Sequence, residues 1–244
     1  MNWIEFKDRF SRFGWFGKKE VYHLVLLVLA FAFIFSFDMW GGSVFDAQVG
    51  LKNLFVSFVL VGIVVLVHHF VQRIVCVLFG FRPFHSFWWP GLIISLFVAF
   101  ISNGTLLFFM GSVFKIQMRD IHRLGWQRYG LNVKQQGLIA MSGNLALVLL
   151  IGFLKLFSAV PDSFLSRMIG FSILFILFNV IPWPHSDGFC MFFGSRLYFV
   201  FLLCALIGFL IFLTAGFLIA VFLGLVMGAI VWILFYWFFE KEWG

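Results

Sequence analysis

The segment Leu197–Phe239 carries no Asp, Glu, Lys or Arg, and a chain containing such a run cannot close into a water-soluble domain. A bilayer hydrocarbon core about 30 Å thick takes roughly 20 apolar residues per helix. The run therefore supplies two spans, with a tight turn near Thr214–Gly216. The rest of the chain has the same character. Of its 244 residues, 63% are hydrophobic and 11% charged, against about 45–50% and about 25% in soluble domains. The abundant Phe and Trp suit a lipid-facing surface with interfacial anchors.

The same ruler places further spans at about 21–37, 54–80, 135–158 and 164–182. Asp38–Asn53 and Ala159–Ser163 read as external loops. A third apolar stretch, Phe87–Phe114, breaks at the turn signal Ser102-Asn103-Gly104-Thr105. Basic residues flank it on both sides: Arg73 and Arg82 before, Lys115, Arg119, Arg123, Arg128 and Lys134 after. Both ends then lie on the cytosolic side. We expect a helix outward and an extended or re-entrant return over 105–116, packed on protein because lipid does not tolerate open strand edges.

Residues 1–20 mix Lys7, Arg9, Arg12, Lys18 and Lys19 with Glu5, Asp8 and Glu20, and interleave Trp3, Phe6, Phe10, Phe13, Trp15 and Phe16. This pattern predicts an amphipathic helix on the cytosolic membrane face rather than a cleavable signal peptide. Residues 240–244 form a polar tail, also cytosolic. The expected class is an all-α polytopic membrane protein with about six transmembrane helices plus a re-entrant or extended hairpin. It has one transmembrane domain over 21–239 and is integral to the cell membrane. The net charge of +7 comes from basic residues between apolar runs, which removes a nucleic-acid partner. Cys76, Cys190 and Cys204 have neither zinc-type spacing nor a disulfide pattern, and read as reduced packing residues. Gly208, Gly216, Gly224 and Gly228 suit close helix packing. Gly224 with Gly228 is a candidate for a homo-oligomer contact, with internal packing as the competing use.

Polar side chains within spans carry the functional signal. The second span holds His68, His69, Gln72 and Arg73. His68 and Gln72 share a helix face, and His69 lies about 100° around. Interhelical hydrogen bonding with Arg73 snorkelling to the interface is the bland account. The second cluster runs from Phe178 to Gly188, with Asn179, Pro182, Pro184, His185 and Asp187. Its prolines forbid a regular helix, and Asp187 sits where a helix restarts, as an N-cap candidate. Histidine and aspartate together can bind zinc.

These segments resemble the site-2 protease family of intramembrane zinc metalloproteases, archaeal-type members in particular, over about residues 54–195. Val67-His68-His69-Phe70-Val71-Gln72 stands where the family has H-E-x-x-H, and Leu78-Phe79-Gly80 matches the ending of that helix. Trp88-Trp89-Pro90-Gly91-Leu92, with its return at Asn103-Gly104-Thr105, looks like the segment that follows the zinc helix. Ile139–Leu145 resembles the middle A-G-P-L segment, and Phe178–Gly188 keeps the Asn, both prolines and the Asp-Gly. The resemblance implies zinc as cofactor and metal positions at His68, Gln72 and Asp187. It implies His69 at the general-base position and Asn179 as a further catalytic residue. The partner it implies is a transmembrane helix of another protein.

The departures fall on the chemistry. His69 replaces the Glu base and Gln72 the second His; Asn144 and Leu147 replace a proline and an asparagine of the middle motif. A catalytic zinc needs three good protein ligands and an open position, and a neutral amide is a poor third ligand. Two readings follow. One is a catalytically impaired relative that has lost zinc and binds or regulates partner membrane helices, with His69 inactive as a base. The other is an active intramembrane metalloprotease with a non-standard site, completed by His69, His85 or His185. A proton or ion pathway through His68, His69 and Arg73 is a minor third reading. His23 and His122 look interfacial.

Overall fold

The computed structural model describes residues 3–41, 45–117, 132–157 and 163–241. The expectations that rest on Arg119, His122, Arg123, Arg128, residues 159–162 and the tail beyond 241 lie outside the described residues. The elements run α1 (Trp3–Phe13), α2 (Lys18–Phe35), α3 (Ala47–Leu78), β1 (Arg82–Phe87), α4 (Trp89–Ile101), β2 (Ser112–Gln117), α5 (Val133–Phe157), α6 (Phe164–Val180), α7 (Asp187–Gly194), α8 (Arg196–Phe212) and α9 (Phe217–Phe235).

Among the described residues, four helical stretches are long and apolar enough to cross a membrane: Ala47–Leu78, Val133–Phe157, Arg196–Ala215 and Phe217–Phe239. Helices α4 and α6 are apolar but shorter. Helix α2 opens on Lys18, Lys19 and Glu20, so its apolar part from Val21 to Phe35 reaches only about 22 Å. The chain is thus a helical membrane protein.

Helix α3 begins earlier than its hydropathy suggests. The Asp46 carboxylate accepts from the Gln48 and Val49 amides, an N-cap that converts part of the expected external loop into helix. At the other end Gly80 takes φ +86°. Its N–H donates to Val77 O while Phe81 N–H donates to Cys76 O. This pair of bonds is the glycine-terminated Schellman closure.

After Gly80 the chain passes through β1 into α4 and returns as extended chain through β2. The first strand carries no sequence mark of its own, and β1 pairs antiparallel with β2 from Arg82↔Gln117 to Phe87↔Ser112. Ser95, fully buried on α4, holds the return in place. Its hydroxyl donates to Gly91 O and accepts from Met110 N–H. Gly111, at φ +130°, turns the chain into β2.

The core forms where α2, α3, α5 and α6 meet, around Leu60, Val64, Phe31, Leu147, Phe171 and Phe175. The α8–α9 pair lies at the side. On α9 only Ala220, Gly224 and Gly228 are buried. A β-carbon on Gly224 would lie 2.6 Å from Ala205 O, and one on Gly228 would lie 2.8 Å from Phe201 O. These glycines therefore serve the contact within the α8–α9 hairpin, and the Gly224–Gly228 face is not free for a second copy. Gly224→Val should force the helices apart and cost about 1–3 kcal/mol, the usual penalty of overpacking. Reversible unfolding in mixed micelles would measure it.

Candidate functional site

The four polar residues of the 68–73 segment of α3 are fully enclosed: His68 and Gln72 are 0% exposed, His69 and Arg73 1%. Their positions on one helix send them in two directions. His68, His69 and Gln72 face α5, the hairpin and the start of α7, whereas Arg73 faces the N-terminal segment.

Asp187 reaches the first group because the chain breaks between α6 and α7. Helix α6 stops before Pro182, and His185 takes φ +70°. Ser186, not Asp187, caps α7: its hydroxyl accepts from Phe189 N–H at 3.1 Å. Asp187 is the first helical residue and keeps its carboxylate for other partners. Gly188 permits this placement, since any side chain there would strike the Val180 carbonyl.

The three positions named for metal therefore come together. His68 Nε2 lies 3.1 Å from Asp187 Oδ2. The ring N–H does not point at the oxygen, and that nitrogen makes no directed hydrogen bond. Gln72 Nε2 donates to the same Asp187 oxygen at 2.8 Å and to Ala140 O at 3.4 Å. Its Oε1 accepts from His69 Nδ1 at 3.2 Å. His68 Nδ1 lies 3.3 Å from His69 Nδ1, and His69 Nε2 lies 2.8 Å from Ser112 Oγ. Gly143 of α5 makes room for the His68 ring, since a β-carbon there would come within 2.6 Å of His68 Nε2.

This donor set does not fit a catalytic zinc. Among the described residues no group of three His, Cys, Asp or Glu stands in a metal-binding arrangement. The place of a third ligand is taken by an amide whose NH₂ already bonds Asp187. A zinc site would need that amide reversed, which would point its carbonyl at the carboxylate and its NH₂ at His69.

Asn179 is buried, and its Nδ2 has no partner. It lines a narrow cleft of about 10 Å³, room for roughly one water, with Trp88, Met110, Ser112, Phe178 and His185. His185 packs near the Trp88 ring there. His85 does enter the cluster, its ring centroid 4.0 Å from that of His69. Asn144 turns back on its own helix, donating to Ala140 O at 3.4 Å.

Arg73 does not snorkel. Its guanidinium pairs with Glu20, donates to the Phe13 and Trp15 carbonyls at 3.0 and 2.8 Å, and lies 4.2 Å over the Phe16 ring. The same Glu20 oxygen accepts the His85 amide at 2.9 Å, and its other oxygen accepts Gly17 N–H at 2.7 Å. A buried charge survives only when paired and hydrogen-bonded. Glu20 and Ser112 are the site residues that sequence reasoning missed. For Glu20 a signal existed, an acid opening an apolar helix; Ser112 depends on strand pairing and carries no local mark.

Burial, reinforced by neighbouring His69, pushes the His85 imidazole well below its ordinary value. The folded chain then refuses a proton that the unfolded chain accepts, so stability present above about pH 6.5 falls as pH drops. Melting curves at pH 7.5 and 5.5 should show this fall, and it should shrink in His85→Phe. Glu20→Ala leaves Arg73 charged and enclosed and should cost about 3–5 kcal/mol, much of it recovered by adding Arg73→Met. Equilibrium unfolding of both variants measures the difference.

Comparison of the chain with protein-family models, curated proteins and solved structures finds no match.

Proposed function

We propose that this is a site-2-protease-like membrane protein that has lost its zinc chemistry and holds or regulates a transmembrane helix of a partner protein. It would cross the membrane about six times, with both termini cytosolic. The observation that carries this reading is the Gln72–Asp187 hydrogen bond. The three metal positions of the resembled family converge, and an amide-to-carboxylate bond joins two of them where a metal would bridge them. Such a bond ties α3 to α7 as a metal would, without a polarised water. An open groove lined by Gly137, Leu138, Met141, Met191, Gly194 and Phe199 lies between α5, α7 and α8. It offers an apolar face of the kind a partner helix can occupy.

The test is reconstruction of the missing ligands. Purified wild-type protein should carry far less than one zinc per chain by elemental analysis. His69→Glu with Gln72→His should bind zinc near stoichiometrically, and Asp187→Ala in that background should release it. Stoichiometric zinc in the wild type, lost in His68→Ala, would replace this reading with that of an active metalloprotease. Failure of the reconstructed chain to bind zinc, while folded, would remove the family resemblance itself.

A further inference from the structure

We propose that the groove between α5, α7 and α8 binds one anionic phospholipid, with an acyl chain along its apolar length and the phosphate at Lys134 and Ser195. This goes beyond the helix-holding reading and does not rest on it.

The groove has a polar end and an apolar end, and the two long helices that wall it run the same way. On α5 it is lined by Lys134, Leu138 and Met141, and on α8 by the N-cap Ser195, Phe199 and Leu202. Each set follows the i, i+4, i+7 spacing of one helix face. The starts of the two helices adjoin: a β-carbon on Gly194 would lie 3.1 Å from Val133 O and 3.2 Å from Gly137 Cα. On both walls the side chains therefore pass from polar to apolar over about 10 Å. A phospholipid has the same order, head and then chain.

Size selects what enters. The space is about 250 Å³. An α-helix with its side chains is about 10–12 Å across, so one turn takes roughly 400–600 Å³ and rests only on the rim. An acyl chain is far more slender and lies within. Leu138 and Tyr198, which both line the groove, are exposed, so a chain enters sideways from the bilayer.

Charge selects the head. Lys134 lines the polar end, and Arg196, exposed, follows Ser195 there. Among the described residues no acid lines the groove, and neither cation is paired with a carboxylate. Ser195 Oγ accepts the Tyr198 amide, which leaves its O–H to donate to a phosphate oxygen. Basic groups at a cleft between membrane helices are what anionic headgroups recognise. A zwitterionic head would bring its own cation against Lys134 and Arg196. A Lys134 that merely snorkelled would need neither the second cation nor the hydroxyl at the same end.

The test uses the full chain in mild detergent, irradiated with phosphatidylglycerol or phosphatidylcholine that carries a diazirine in one acyl chain, with the adducts mapped by mass spectrometry. Phosphatidylglycerol should label the groove walls of α5, α7 and α8 about tenfold more than phosphatidylcholine, as two cations beside an anionic head provide. Lys134→Gln with Arg196→Gln should remove that preference. Leu138→Trp should cut the labelling itself by filling the groove. Glycerol phosphate, which has the head and no chain, should not compete. Labelling spread evenly over α9 and the other apolar helices, equal labelling by the two lipids, or a preference that survives the double variant each overturns the site. Competition by glycerol phosphate overturns the lipid as ligand. No groove labelling of the folded chain overturns the proposal, in favour of a second copy where the chain is dimeric. If Leu138→Trp fails to fold, the wild-type map and the double variant still decide.

Discussion

The Arg73–Glu20 pair is the interaction on which one end of the molecule depends. A guanidinium 1% exposed cannot stand without a counter-charge. Meeting that need draws in the first residues of α2, the carbonyls of Phe13 and Trp15 and the amide of His85. Helix α1 is positioned as a result: its Phe10 ring packs edge-on to Phe70 of α3. The amphipathic character of α1 would let it lie anywhere along an interface; the buried pair brings it to this place on α3.

Arg73 and Gln72 are adjacent on α3, so the same helix turn serves two polar regions. On one side the charge is locked by protein groups. On the other, Gln72, His69 and Ser112 form a row in which each group has its donor or acceptor role assigned by the next. In a low-dielectric interior such rows are strong only when every member is satisfied. Beside the row, both ring nitrogens of His85, whose ring lies 4.0 Å from that of His69, have no hydrogen-bond partner.

The long apolar helices were legible because lipid imposes one period and one length on them. The helix-and-extended return of 87–114 was legible from its charges and its turn. The convergence of His68, Gln72 and Asp187 followed from quoted motifs. The pairing β1–β2 was not legible, because its register depends on residues about thirty positions apart, with Pro83 suggesting an end. Glu20 looked like one charge among many in a surface segment, and only the position of Arg73 gives it meaning. Ser186 displaced Asp187 as cap because both residue types cap well and sequence alone does not decide between neighbours.

The peripheral place of the α8–α9 hairpin has a kinetic side. Helix α9 rests on the helix just before it, across a single short turn. Contacts so close in sequence form quickly, because little chain entropy is lost in closing them. The Gln72–Asp187 bond joins residues 115 positions apart and needs α5 and α6 in place first. The α8–α9 hairpin is thus suited to fold early, and the polar centre is among the last regions to close.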